Sequence, residues 1–152
     1  MKKRHEVLFT QLGTYREETL RLVEGVSEEE AEIIPEGFHN NIRWNLGHIY
    51  LDQYLWIESF VQEISDNTLK LNGWFGFGTS PTNFTEETPN LSELKELLQG
   101  QPEKIKEKYG HRLEEEFPPT EMGMSTIEQV LMRTVFHEGL HIGAIQYLKR
   151  FI

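Results

Sequence analysis

His137-Glu138-Gly139-Leu140-His141 lies inside the run Ile127 to Leu148, in which Ile127, Val130, Leu131, Thr134, His137, Glu138, His141, Ala144, Ile145 and Leu148 follow one another at helical spacing. Such spacing marks an α-helix with one buried stripe, and both histidines belong to the stripe. Four residues apart on a 3.6-residue helix, they are separated by roughly 40° and ~6 Å of rise, so both imidazoles leave the same face and can close on one metal ion. A lone histidine there reads as a core residue. A pair at this spacing, with a further candidate elsewhere in the chain, reads as a metal site.

The stretch also fits the zincin pattern His-Glu-x-x-His, in which the glutamate is the general base. A zincin takes its third ligand downstream, and Ile142 to Ile152 contain no His, Asp or Glu. The longer metzincin pattern needs Gly and His where this chain has Ala144 and Tyr147. The protease reading is therefore set aside, and a third ligand must come from upstream. Glu138 stays a candidate base, although it points ~100° away from His137 around the helix.

At 152 residues the chain is expected to be one domain over 1–152, long enough for a single substantial core. Hydrophobic residues make up 38% and charged residues 26%, which is the globular range, and no apolar run approaches the ~18 residues of a membrane span. No membrane partner is expected. The basic start, Met1-Lys2-Lys3-Arg4-His5-Glu6, leads into an amphipathic segment with Gln11, Arg16 and Glu17 and not into an apolar signal core, so a cytoplasmic location is expected. A net charge of −10 argues against nucleic acid as a partner, because phosphate binding needs clustered Lys and Arg. With no cysteine, the chain has neither disulfides nor a thiolate nucleophile, and any thiol chemistry must use an imported thiol.

Working back from the last helix, whose cap is read as Ser125 with Glu128, the periodicity predicts three more long helices. The first runs near 3–24, ending at Gly25, and Ser27 with Glu30 caps a short connector. The second runs near 41–64 from Asn40 or Asn41 and is apolar around much of its circumference, so it is buried on more than one side. It carries Trp44 and His48, with Asn45 and Asp52 about one turn before and after the histidine as partners for a ligand imidazole. Asn90 with Glu93 opens the third, near 91–108, which Pro102 is expected to kink or split. Gly110 to Gly123 reads as a solvated turn. Ser65 to Pro89 reads as a loop rich in Asn, Gly and Pro, with Trp74, Phe75, Phe77 and Phe84 interleaved. Twenty-five residues is long for a link between antiparallel neighbours, so it is read as a lid or as a crossover between two parallel helices. Its aromatics either cover a pocket or pack the loop onto the helices. No repeat, phosphate loop or nucleophile elbow is present, and an all-α helical bundle is the economical fold.

Asn41-Ile42-Arg43-Trp44-Asn45-Leu46-Gly47-His48-Ile49 and His137-Glu138-Gly139-Leu140-His141-Ile142-Gly143 together resemble the two motifs of the DinB/YfiT-like superfamily, and the resemblance spans essentially the whole chain. It implies a four-helix bundle of up-down-down-up topology with a long crossover between helices two and three. It also implies a divalent ion held by His48, His137 and His141. The superfamily includes thiol-dependent S-transferases and a mycothiol-dependent maleylpyruvate isomerase. Family members often carry Gln where this chain has Ala144.

Three imidazoles suit catalytic zinc and also nickel. The expected activity is a metal-dependent S-transfer using a low-molecular-weight thiol such as bacillithiol, mycothiol or glutathione on a small-molecule substrate. The alternatives are a hydrolase that activates water, with Glu138 or Asp52 as base, and a metal-binding bundle without turnover. Trp44, Trp74, Phe75 and Phe77 are the candidates for substrate contact. The apolar second helix and the aromatic loop point to a homodimer.

Overall fold

Helices begin where a polar side chain takes up N–H groups that the first turn leaves without partners. In the computed structural model, which describes all of residues 1–152, Ser27 and Glu30 form a capping box at α2 (Glu28–Ala31), and Asn90 and Glu93 form another at α5 (Leu91–Tyr109). Asn41 caps α3 (Ile42–Val61) by accepting from the Trp44 N–H. The cap of α6 (Ile127–Leu148) falls one residue later than expected, with Thr126 and Gln129 making the box. α1 (Lys3–Leu22) has no side-chain cap. With α4 (Asp66–Phe75) and 3₁₀ turns at Pro81–Asn83 and Lys149–Phe151, these complete the regular structure, and the one β-bridge, between Glu116 and Thr126, is isolated. The chain is all-α as expected, and no helix is long and apolar enough to cross a membrane.

The segment read as a loop contains α4. Ser65 accepts from the Thr68 N–H to start it, and Thr68, Leu71, Trp74 and Phe75 are its buried residues. These follow the helical period, but Asn67, Asn72 and Gly73 among them weaken the local signal, and packing on α3 overrides it. The closest approach is at Gly47 of α3, where an added Cβ would overlap the edge of the Phe75 ring. Only glycine lets α4 come this near. Gly110 to Gly123 is also less free than expected: Leu113 is buried and its C=O accepts from the Glu128 N–H at 3.1 Å, while Phe117 N–H donates to Ser125 at 2.9 Å.

Pro102 does not divide the third long helix, since α5 is continuous from Leu91 to Tyr109. A proline there removes the N–H that would bond the Leu98 carbonyl one turn back. Arg16 Nη1 donates to that carbonyl at 2.7 Å instead, so the freed acceptor is satisfied from α1.

Arg16 is the centre of a buried polar layer to which all four long helices contribute. Its Nε donates to Glu138 at 2.8 Å, its Nη1 to Gln101 at 2.9 Å and its Nη2 to Gln53 at 3.2 Å. Thr19 donates to Glu138 at 2.6 Å, Gln53 to Thr134 at 3.2 Å, and Gln101 to the Tyr50 carbonyl at 2.7 Å. On one side of this layer lies a core of Leu46, Ile49, Leu51, Leu71, Phe75, Leu94 and Ile145. On the other lie Leu8, Leu12, Ile57, Ile105, Tyr109, Ile127 and Leu131. A buried charge needs a partner in one place only, so the Arg16–Glu138 pair fixes the rotation of α6. With Glu138 turned to α1, His137 and His141 are turned to α3.

Candidate metal centre

His48 comes from α3, and His137 and His141 come from α6, one turn apart. His48 Nε2 and His137 Nε2 are 3.2 Å apart, as are His137 Nε2 and His141 Nε2, and one ligand atom from each of the three residues lies within 4.8 Å of the others. The other ring nitrogen of each imidazole is held by an acceptor. His48 Nδ1 donates to the Phe75 carbonyl at 2.6 Å, His137 Nδ1 to Asp52 Oδ2 at 2.9 Å, and His141 Nδ1 to Asn45 Oδ1 at 2.8 Å. The Asn45 amide is itself oriented, because its Nδ2 donates to the Asn41 carbonyl at 2.8 Å.

These acceptors fix the tautomer. A carbonyl and a carboxylate can only accept, so each neutral ring carries its proton on Nδ1 and points the lone pair of Nε2 inward. Three lone pairs converging with no proton between them repel, unless a cation lies at their meeting point. A tetrahedral zinc ion with bonds of about 2.0–2.1 Å would hold its nitrogens about 3.3 Å apart, close to the spacing observed. The residues therefore fit a divalent ion, and the hydrogen-bonded partners on the outer nitrogens are those that ligand histidines generally have.

Electrostatics agree with the geometry. Burial lowers the pKa of His48 despite the opposing bond to Phe75, and burial, followed by the neighbouring His48 and His137, pushes His141 down to about 3. Both rings stay neutral, which is the form that binds metal.

The other residues picked out in the sequence are placed as follows. Asp52 and Asn45 do bond imidazoles of the cluster, but they reach across to the histidines of α6 and not to His48 on their own helix. Asp52 also takes a 2.7 Å bond from Arg133, on the same Oδ2 that accepts from His137. Glu138 is turned away, bound to Arg16 and Thr19, and is not brought to the imidazoles. Trp44 stacks on His48, with ring centroids 4.8 Å apart and planes 11° from parallel. Its indole N–H donates to Thr79 at 3.0 Å. Trp74 and Phe75 are buried and pack α4 onto α3, and only the Phe75 carbonyl enters the site. Phe77 stands entirely in solvent. Arg133, lying over Trp56 with 4.0 Å to the ring centroid, was not singled out in the sequence. The signal was present, since it precedes His137 by four residues and shares its face.

His5, Glu114 and Glu128 also lie close together. Their carboxylates are already neutralised by Lys2 and by Arg4, which contacts both. A groove of about 550 Å³ runs between α1 and α5 past Thr10, Gly13, Gln99 and Pro102, away from the histidines.

Among curated proteins none matches this sequence. The sequence model of the DinB superfamily matches residues 11–145, a span that takes in the three histidines, Asn45, Asp52 and Phe75. On that match over most of its length, the chain belongs to the DinB superfamily.

Proposed function

We propose that this protein is a metal-dependent S-transferase in which His48, His137 and His141 hold one divalent ion, zinc or nickel, and a low-molecular-weight thiol is the cosubstrate. The observation that carries the reading is a set of three imidazole Nε2 atoms that converge on one point, with Glu138 turned away into the Arg16 layer. A carboxylate that takes a proton from water would assist hydrolysis, and Glu138 is not brought to the site. Asp52 is held by Arg133 and His137, and Glu138 lies in the Arg16 layer. A thiol does not need that base. A divalent ion bound here would supply Lewis acidity, deprotonating a coordinated thiol that at a pKa of about 8.5 is only about 3% thiolate at neutral pH.

The protein residues would do the rest. The carbonyl of Phe75, the carboxylate of Asp52 and the amide of Asn45 aim the three Nε2 atoms. Trp44 covers one face of His48 and offers an apolar contact to the substrate. The thiol S–H bond breaks and its proton leaves to solvent, the sulfur forms a bond to the electrophilic carbon, and the bond from that carbon to its leaving group breaks, the electron pair departing with the leaving group. Ionisation contributes at most roughly 30-fold, so most of a larger acceleration must come from holding the two reactants together.

The bundle topology expected from the sequence is part of this reading. Along α1, Arg4, Arg16 and Leu22 meet Glu128, Glu138 and Lys149 in rising order, which supports parallel α1 and α6. Asn45 and Gln53 of α3 meet His141 and Thr134 in reverse order, which supports an antiparallel pair. Arg43, Tyr50 and Glu58 of α3 meet Pro89, Gln101 and Lys108 in rising order, so α3 and α5 are read as parallel, joined by the crossover that contains α4. Up-down-down-up follows for one domain over 1–152. A homodimer also remains a proposal. α3 is covered by its own chain, and α6 leaves Met132, Phe136, Leu140 and Tyr147 open. A monomer mass at micromolar concentration refutes it. A cytoplasmic location is proposed as the compartment of the thiol pool.

The test is conjugation of an electrophile by the zinc- or nickel-loaded protein with bacillithiol, mycothiol and glutathione, run beside ester hydrolysis without thiol. Thiol-dependent product is expected and should disappear in His137→Ala and His141→Ala. Turnover that survives metal removal, or no thiol-dependent product with any of the three, overturns the proposal in favour of the hydrolase or a bundle without turnover.

A further inference from the structure

The seam between α3 and α6 extends beyond the three histidines. His48, Asp52 and Trp56 follow at steps of four on α3, and Arg133, His137 and His141 do the same on α6 in the opposite sense. Asp52 joins two rungs, accepting from His137 Nδ1 at 2.9 Å and from Arg133 Nη1 at 2.7 Å. The next rung is Arg133 over Trp56, 4.0 Å from the ring centroid.

A guanidinium has five N–H donors, and only Nη1 of Arg133 is bonded within the protein. Nε and Nη2 have no protein partner, and they are not sealed from water, because the only buried side-chain nitrogen or oxygen atoms without a partner are His5 Nε2 and the Tyr109 hydroxyl. The Trp56 ring holds the plane of the guanidinium, so its free edge is oriented before anything binds. A divalent ion at the histidines would make this seam positive on both sides of its single carboxylate. In a chain of net charge −10, that is a local reversal of sign.

We propose that Arg133, stacked on Trp56, is an anion-binding subsite, and that the small molecule taken at the three-histidine centre carries a carboxylate. The proposal rests on the metal-centre reading. One helical turn, ~6 Å, separates Arg133 from His137, so a ligand with its donor atom at the histidines and its carboxylate two or three bonds away spans the gap. A forked guanidinium matches a carboxylate with two parallel charge-assisted hydrogen bonds. The competing role is structural, with Arg133 serving only to hold Asp52 against His137.

The experiment compares mercaptopropionate with its neutral counterpart mercaptopropanol by calorimetry on the zinc-loaded protein and its Arg133→Gln and Arg133→Lys variants, with zinc affinity measured on each. The native protein is expected to bind the carboxylate thiol at least about tenfold more tightly than the neutral one, as charge-assisted bonds to an oriented guanidinium allow. In Arg133→Gln the preference should fall to within about twofold with the neutral thiol unaffected, and Arg133→Lys should keep part of it. A preference that survives Arg133→Gln overturns the proposal. Equal weakening of both thiols together with weaker zinc binding also overturns it and assigns Arg133 the structural role. If the native protein binds no zinc, the metal reading fails on its own account. The subsite is then judged by propionate against propanol, read by tryptophan fluorescence: binding of propionate lost in Arg133→Gln upholds it, and no difference overturns it.

Discussion

Replacing Gly47 by alanine puts a methyl group against the edge of the Phe75 ring, closer than two non-bonded carbon atoms can approach. Phe75 is fully buried, and its ring is the nearest obstacle to a Cβ at position 47, so the ring and the end of α4 must move outward. Overpacking of a filled core costs about 1–3 kcal/mol, and overlap this deep belongs at the upper end. Alanine returns about 1 kcal/mol through its better helix propensity. The net expectation is a loss of about 2 kcal/mol, or a Tm lower by about 4–8 °C for a chain of this size. The Phe75 carbonyl moves with the ring, which releases His48 Nδ1, and loss of such a partner weakens metal binding about 10- to 100-fold. Urea denaturation of the metal-free protein gives the first quantity, and zinc titration against a competing chelator gives the second. Gly13→Ala on α1 is the control, since a Cβ there meets nothing within 4 Å, and it should stabilise by about 0.5–1 kcal/mol. If both alanine variants stabilise alike, or if Gly47→Ala binds zinc as the native protein does, the link from Gly47 through Phe75 to His48 is wrong.

Three further outcomes follow from the same contacts. Asp52→Asn should weaken zinc binding about 10- to 100-fold by removing the carboxylate that orients His137, and undiminished affinity in chelator competition would show that Asp52 has no such role. Arg16→Met or Glu138→Leu alone should cost about 3–5 kcal/mol by stranding a buried charge, whereas the double variant should cost far less than their sum. Additive costs in urea would remove the pair as the device that sets the rotation of α6. Between about pH 7.5 and pH 6, three ordinary imidazoles would lose about fiftyfold in apparent metal affinity to protons. Because burial lowers the pKa of His48 and His141, protons compete later as pH falls, and calorimetry should find a smaller loss. A fiftyfold or greater loss refutes the assignment of these rings as neutral.

The sequence by itself determined what depends on neighbours within a few turns. Helical spacing placed His137 and His141 on one face, and side chains three residues from their targets set the starts of α2, α3 and α5. The family motifs added His48, and the structure brings it to His137 and His141. The structure alone decided what joins distant positions. Asp52 serves His137 and Asn45 serves His141, although both sit one turn from His48, because the side chain's direction across the α3–α6 seam outweighs its nearness along the chain. Glu138 neighbours His137 yet belongs to Arg16, 122 residues away, since a buried carboxylate goes where a buried cation is. α4 was hidden by Asn and Gly within it, and its helix forms because Gly47 opens a place for Phe75. That placement brings the Phe75 carbonyl to His48. Local propensity does not encode a main-chain acceptor supplied 27 residues further on, because its position exists only once the two helices have packed.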